Sequence, residues 1–453
     1  MKKSAAILLT ALLLVEFASA EVRVPGDHPT IQAAINAAEE GGTVVIGDGT
    51  YSGDGNRDID FKGKNIVLRS ENGPEFTIID CDGSEAEPHC GFYLHSGEDE
   101  TSEIDGFTIT DAYGPDWWDA AVRCEGASPT LRNCIITANN CNGVRYERAT
   151  LRVYDCVVTE NESRGIWVDA CGAVVSGCEI SFNEDYGVIW NARWYGYEFE
   201  MTDCLVRNNG GHGLWLLVGS GLFHVQNCTF VGNRIGAEYE WDFPKAVVSM
   251  PTATSTETST IENCIMAFNE EYGLISHIWA GDVVVSCNDA YGNGIKDFEY
   301  VGEEPEDDYG NFSQDPLFCD AAGGDFSIST TSPCAPEHND CGVLIGAFDP
   351  ACTETASSEG DQIQLPARFA LHQNSPNPFN PVTWIRFDLP RSCHVRLEVI
   401  DITGRVVGVP ADGWFEAGEH RVLWDARAFA SGVYLYRVRA DAFTACRKMI
   451  LVK

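Results

Sequence analysis

The stretch Asn133-Cys134-Ile135-Ile136-Thr137-Ala138-Asn139-Asn140-Cys141-Asn142-Gly143-Val144 decides the fold, because the chain repeats it. Its opening triplet returns as Asp155-Cys156-Val157, Gly177-Cys178-Glu179, Asp203-Cys204-Leu205, Asn227-Cys228-Thr229, Asn263-Cys264-Ile265 and Ser286-Cys287-Asn288. The steps between these cysteines are 22, 22, 26, 24, 36 and 23 residues. Five residues after the Cys stands an Asn in six of the seven repeats: Asn139, Asn161, Asn183, Asn209, Asn233 and Asn269. In the seventh it slips by one, to Asn293. A Gly follows three or four residues later, at Gly143, Gly165, Gly187, Gly213, Gly236 and Gly273.

Short β-branched runs flank each Cys, bounded by Asn and Gly, and these read as strands. Coils of this length, made of short strands without helix, predict a parallel β-helix. Successive coils stack about 4.8 Å apart, so equivalent residues form columns. The Asn is expected at a corner, where it tolerates left-handed dihedrals. The Gly is expected to open the next strand at another corner. The Cys column is expected to point inward as small apolar groups. In-register stacking aims its Cβ atoms alike, which predicts unpaired thiols.

The pattern continues upstream more weakly. Gly106 takes the Cys position and Asp111 the Asn position, while Asn65 to Arg69 and Phe76 to Ile79 read as strands. Ile31, Ala34, Ile35 and Ala38 share one helical face, which predicts a short amphipathic helix capping the open end of the solenoid. The segment Val24 to Tyr51, with Thr30-Ile31-Gln32-Ala33-Ala34-Ile35 and Gly47-Asp48-Gly49-Thr50-Tyr51, resembles the N-terminal cap of pectin-lyase-like right-handed β-helix proteins. The coils resemble that superfamily's repeat over roughly residues 22–350. The resemblance implies a right-handed helix and leaves the activity open.

Asp315 to Cys352 reads as the closing end of the solenoid. Cys319, Cys334, Cys341 and Cys352 depart from the ladder spacing and predict two disulfides among three possible pairings. Cys81 and Cys90 are candidates for another. Thr353 to Pro366 is a polar linker, and alternating strands with Gly404 and Gly432 at turns then predict a small β-sandwich over 367–453. Asn377-Pro378-Phe379-Asn380-Pro381, Asp401-Ile402-Thr403-Gly404-Arg405, Trp424-Asp425 and Ser431-Gly432-Val433-Tyr434 resemble the Ig-like domain of flagellar hook-capping proteins. They also resemble the C-terminal sorting domains of type IX secretion cargo. That resemblance implies outer-membrane secretion machinery as a partner, with retention at or release from the cell surface.

Met1-Lys2-Lys3, the apolar run Ala5 to Val15 and Ala18-Ser19-Ala20 form a secretory signal peptide with cleavage expected near Ala20. This places the β-helix at 21–352. No later run is long and apolar enough for a membrane helix. The formal charge is −38. Residues 21–366 hold 16 basic and 59 acidic residues, whereas 367–453 hold 12 and 8. A field this negative repels nucleic acid, and it repels polyanionic glycans unless a divalent cation intervenes.

Counted from each coil Gly, positions +1 and +3 are apolar and expected to face in, and +2 and +4 to face out. The +2 column reads Arg145, Trp167, Ile189, Trp215, Glu238 and Ile275. The +4 column reads Glu147, Asp169, Asn191, Leu217, Glu240 and His277. Trp beside carboxylates suits a sugar-binding face, with Arg145, Trp167, Trp215, Glu238 and Glu240 as candidate ligand contacts for an extracellular polysaccharide. Glu147 and Asp169, about one coil apart, are candidate catalytic carboxylates for a glycoside hydrolase or polysaccharide lyase. With Asn191 they are also candidate calcium ligands. A structural adhesin is the third reading. Asp116-Trp117-Trp118-Asp119 is an insertion and a second candidate binding loop. Gly211-His212-Gly213 looks like a polygalacturonase motif, but His212 fills the slot before the coil Gly that Tyr186 and Tyr272 hold elsewhere. The remaining elements of that motif are missing.

Overall fold

The computed structural model describes residues 21–453 apart from 193–195, 219–220, 235–247, 251–257, 278–282, 302–308, 354–367 and scattered positions beyond 374. The leader peptide, Glu238, Glu240, the acidic run 303–308 and most of the linker lie outside the described residues. Two compact units result, Met1–Glu354 and Thr355–Lys453.

In the first unit, the solenoid's described strands form three parallel sheets of eleven, ten and nine strands, and Phe318–Asp320, Asp325–Ser329 and Pro350–Cys352 form a separate three-stranded sheet. The register is strict. Ile136 pairs Val158, and Val144 pairs Val122 on one side and Ile166 on the other. This is the parallel β-helix that the repeat predicts. The helix Ile31–Ala37 starts at Thr30, whose hydroxyl accepts the Ala33 N–H, and it buries Ile31, Ala34 and Ile35. It contributes to the solenoid's core cluster, as its apolar face predicts.

The Cys column is internal. Cys134, Cys156, Cys178, Cys204, Cys228 and Cys264 are buried with free thiols. Each donates to the carbonyl two residues back; Cys204 reaches Thr202 O at 3.1 Å. Burial pushes the Cys204 and Cys228 thiols well above their ordinary value, which keeps them protonated and inert.

The Asn column corrects one expectation. These residues do not take the left-handed corner; they are buried and form an amide ladder. Asn183 Nδ2 donates to Asn209 Oδ1 at 2.9 Å and to Val158 O at 3.1 Å, and its backbone N–H reaches the same Oδ1 at 3.1 Å. The ladder runs from Asn139 to Asn293 and ends on Asp297 Oδ1. The left-handed positions are the residues just before each column, such as Phe182 (φ 54°) before Asn183 and Asn133 (φ 49°) before Cys134. An inward amide satisfies donors and acceptors that a corner would otherwise bury unpaired.

The coil Gly has a different cause as well. Gly165 is not left-handed, but a Cβ there would stand 2.7 Å from Gly187 O and 2.8 Å from Asn183 Nδ2. Close packing against the ladder, rather than dihedral freedom, excludes a side chain.

The slip at the seventh repeat is one of register. Asn288, not Cys287, occupies the column: it is fully buried, and its Oδ1 accepts the Cys264 N–H at 2.9 Å. Asn293 then stands five residues on, as in every other coil. Cys287 sits at the left-handed corner (φ 55°) and pairs with Cys341. The second disulfide is Cys319–Cys352. Two disulfides were expected within the closing segment alone, but one reaches back to Cys287 and Cys334 stays free. Cys81 and Cys90 are also unpaired: Cys81 lies in the core, and Cys90 donates to Asp58 Oδ1 at 3.5 Å.

The closing segment folds back over the second sheet. Phe326 packs on Leu205 and Val231, while Cys334, Ala335 and Ile345 pack on Ile265 and Ala267. The second unit holds two antiparallel sheets, one containing Val382–Leu389 and Gly418–Asp425, the other ordered Val406–Phe415, Cys393–Ile400, Gly432–Ala440, Phe443–Leu451. Phe387, Leu397, Trp424 and Tyr436 belong to its separate core, consistent with a β-sandwich.

Candidate functional site

The third sheet carries the chemistry. Its strands Ala120–Glu125, Asn142–Glu147, Ile166–Asp169, Val188–Ala192 and Leu214–Val218 stack in register. Alternation sends Val144 and Tyr146 into the core and Arg145 and Glu147 to the outer face. The +2 column therefore runs Arg123, Arg145, Trp167, Ile189, Trp215, and the +4 column Glu125, Glu147, Asp169, Asn191.

The outer Trp side chains are covered, not open to a ligand. Trp167 and Trp215 are 6% and 9% exposed. The insertion around Asp116 to Asp119 closes over Trp167, with the Trp117 ring stacked on it at 4.9 Å. Tyr186 stacks on Trp215 at 5.1 Å, and His212 packs against both rings. His212 is thus an aromatic packing residue, in keeping with its slot before the coil Gly. Trp117 itself is 60% exposed, the one exposed Trp among the described residues.

Two guanidinium groups pack on Trp167. Arg145 and Arg164 lie over its ring at 4.6 and 4.8 Å, and both are buried. Desolvated cation–π pairs of this kind are worth up to about 2 kcal/mol each. Arg164 and Asp185 were missed from the sequence. Arg164 Nε lies 3.5 Å from Asp185, whose carboxyl burial pushes up despite the opposing pull of Arg164. The available signal was the slot before each Gly, which reads Asn142, Arg164, Tyr186, His212 and forms its own column.

The candidate carboxylates are occupied. Glu147 and Asp169 are register neighbours, as expected. Glu147 takes Arg145 at 2.6 Å and Arg148 at 3.4 Å. Asp169 accepts the Asn191 amide at 2.9 Å. Glu125 is joined to Arg123 and Arg148. Burial alone would raise the Glu125 carboxyl, but the Tyr93 hydroxyl and three arginines outweigh that and hold it below its usual value. Among the described residues no group of three or more His, Cys, Asp or Glu stands close enough to hold a metal ion. Glu147, Asp169 and Asn191, the candidate calcium set, form a column in which Arg145 and Arg148 meet Glu147 and the Asn191 amide meets Asp169.

Comparison with known proteins agrees with the architecture. Residues 64–243 match the right handed beta helix region, and residues 375–453 match the secretion system C-terminal sorting domain. No match was found among curated proteins. Among solved structures, the chain is similar to pectate lyase Pel9A at 14% identity and TM-score 0.47, over 71% of this chain and 91% of that one. It is similar to the periplasmic alginate epimerase AlgG at 11% identity and TM-score 0.29, over 58% and 77%. A full-length tailspike protein 2 from Escherichia coli O157:H7 bacteriophage CAB120 gives 11% identity and TM-score 0.33, over 92% and 65%. Likeness at this level carries no substrate to this chain.

The chain is a right-handed parallel β-helix protein with a C-terminal sorting domain. It is a secreted protein directed to the cell surface by that domain.

Proposed function

We propose that this surface protein holds carbohydrate on the outer flank of its third sheet, around Trp117, without turning it over. One observation carries the reading. Trp117 is the exposed face of a stack whose lower ring, Trp167, is buried and in contact with Arg145 and Arg164. The C–H faces of a pyranose pack on such a ring, and a ring already held in place loses little freedom on binding. Trp167 and Trp215 act as the base of the platform rather than as direct contacts. The alternative of catalysis by Glu147 and Asp169 is disfavoured because ion pairs and an amide already occupy their oxygens.

A glycan array on the full chain, followed by a product-release assay on the glycans that bind, tests this. Trp117→Ala is expected to weaken binding about tenfold or more, a loss of roughly 1.4 kcal/mol or greater. No product is expected. Product that disappears in Glu147→Gln would replace the reading with a hydrolase or lyase.

A further inference from the structure

We infer that the glycan held on this flank is uncharged. The inference rests on the carbohydrate-binding reading above and concerns the class of sugar.

The flank carries four arginines, and each is engaged by a carboxylate. Arg123 meets Asp119 at 3.3 Å and Glu125 at 3.5 Å. Arg145 meets Glu147 at 2.6 Å, and Arg148 spans Glu125 at 2.5 Å and Glu147 at 3.4 Å. Arg164 meets Asp185 at 3.5 Å. A uronate or sulfate is recognised by forked donors aimed at its oxygens. Here those forks meet the protein's own acids, and two of the guanidinium groups also stand over Trp167.

Charge counting agrees. Asp116 and Asp119 bracket Trp117 and Trp118, and Asp169 adds a further carboxylate beside Glu147. Acids on the flank thus outnumber the arginines, within a chain of net charge −38. An anionic chain laid on Trp117 would meet repulsion, and among the described residues no group of three or more His, Cys, Asp or Glu is placed to hold a bridging metal ion. A neutral sugar meets none. Its hydroxyls carry no charge, so its binding needs neither a free guanidinium fork nor a free carboxylate.

The test is calorimetric titration of the full chain with xylohexaose, cellohexaose and mannohexaose against hexagalacturonate and hexamannuronate. Each uronate is measured with and without calcium, at low and high salt. At least one neutral hexasaccharide is expected to bind about tenfold more tightly than either uronate at low salt. Any residual uronate affinity is expected to rise with salt, since screening relieves repulsion beyond about 10 Å at 0.1 M. Glu147→Gln, which releases Arg145 and leaves Arg148 held by Glu125 alone, is expected to raise uronate affinity about threefold or more. Uronate binding tighter than neutral binding, and lost in Trp117→Ala, would overturn this inference while leaving the site in place. Failure of both classes to bind would overturn the site itself.

Discussion

Asn183→Ala is expected to destabilise the first unit by roughly 3–6 kcal/mol, among the largest effects of any single substitution in the solenoid. The side chain occupies the middle of the amide ladder. It gives two donors, to Asn209 Oδ1 and Val158 O, and its own Oδ1 accepts from the Asn161 backbone and side chain. Truncation leaves the Asn161 donors and the Val158 carbonyl unpaired where water cannot reach. Each such orphan costs about 1–3 kcal/mol. Because each coil contacts only its neighbours, the loss is expected to be local and to divide the cooperative unit rather than lower it uniformly. Urea denaturation and hydrogen exchange of residues 157–210 check this. An exposed amide, Asn72→Ala, serves as the control and should change little. A ladder variant no worse than the control would mean that the column does not hold the coils together.

Asp289 gives the second large effect, through pH. Its carboxyl is fully buried on the last strand of the second sheet, where it accepts the Gln314 N–H at 3.0 Å and the Cys334 thiol at 3.2 Å. Burial pushes it from 3.8 to about 7; the Gln314 and Cys334 bonds oppose the rise, and Asp297 and Asp315 add to it. The folded protein therefore holds a proton that the unfolded chain has released. Stability from this group is full below about pH 4 and is lost as pH rises through 7. The full difference is on the order of 4 kcal/mol. Asp289→Asn mimics the protonated carboxyl and should remove this slope, leaving the variant more stable than the parent above pH 7. Denaturation midpoints of both proteins from pH 4 to 8 check it; parallel profiles would contradict the assignment.

The solenoid was legible because it is written in columns. A Cys, an Asn and a Gly at fixed spacing specify stacked coils whatever lies between them. The roles within the column were less legible. Asn serves equally at a left-handed corner and in a buried ladder, and only the hydrogen bonds from Asn139 to Asn293 separate the two. At Cys287-Asn288 both residue types occur side by side, so the register could be read one place early. The outward direction of Arg145 and Trp167 followed from alternation. The segment that covers Trp167 did not, because Trp117 comes from an insertion ahead of the strand Ala120–Glu125, two strands away, and its landing point depends on tertiary packing. The Arg164–Asp185 pair and the closing of Asp289 under Cys334 bring together residues from different coils or a distant segment, which no single window of sequence displays.

The central claim is that carbohydrate lodges on the Trp117 flank. Its most direct test is hydrogen exchange of the full chain with and without a saturating neutral hexasaccharide. Protection is expected at residues 113–119 and in the strands Asn142–Glu147 and Ile166–Asp169 that carry the stack. An unchanged flank, with protection confined to the second unit or absent altogether, would contradict it.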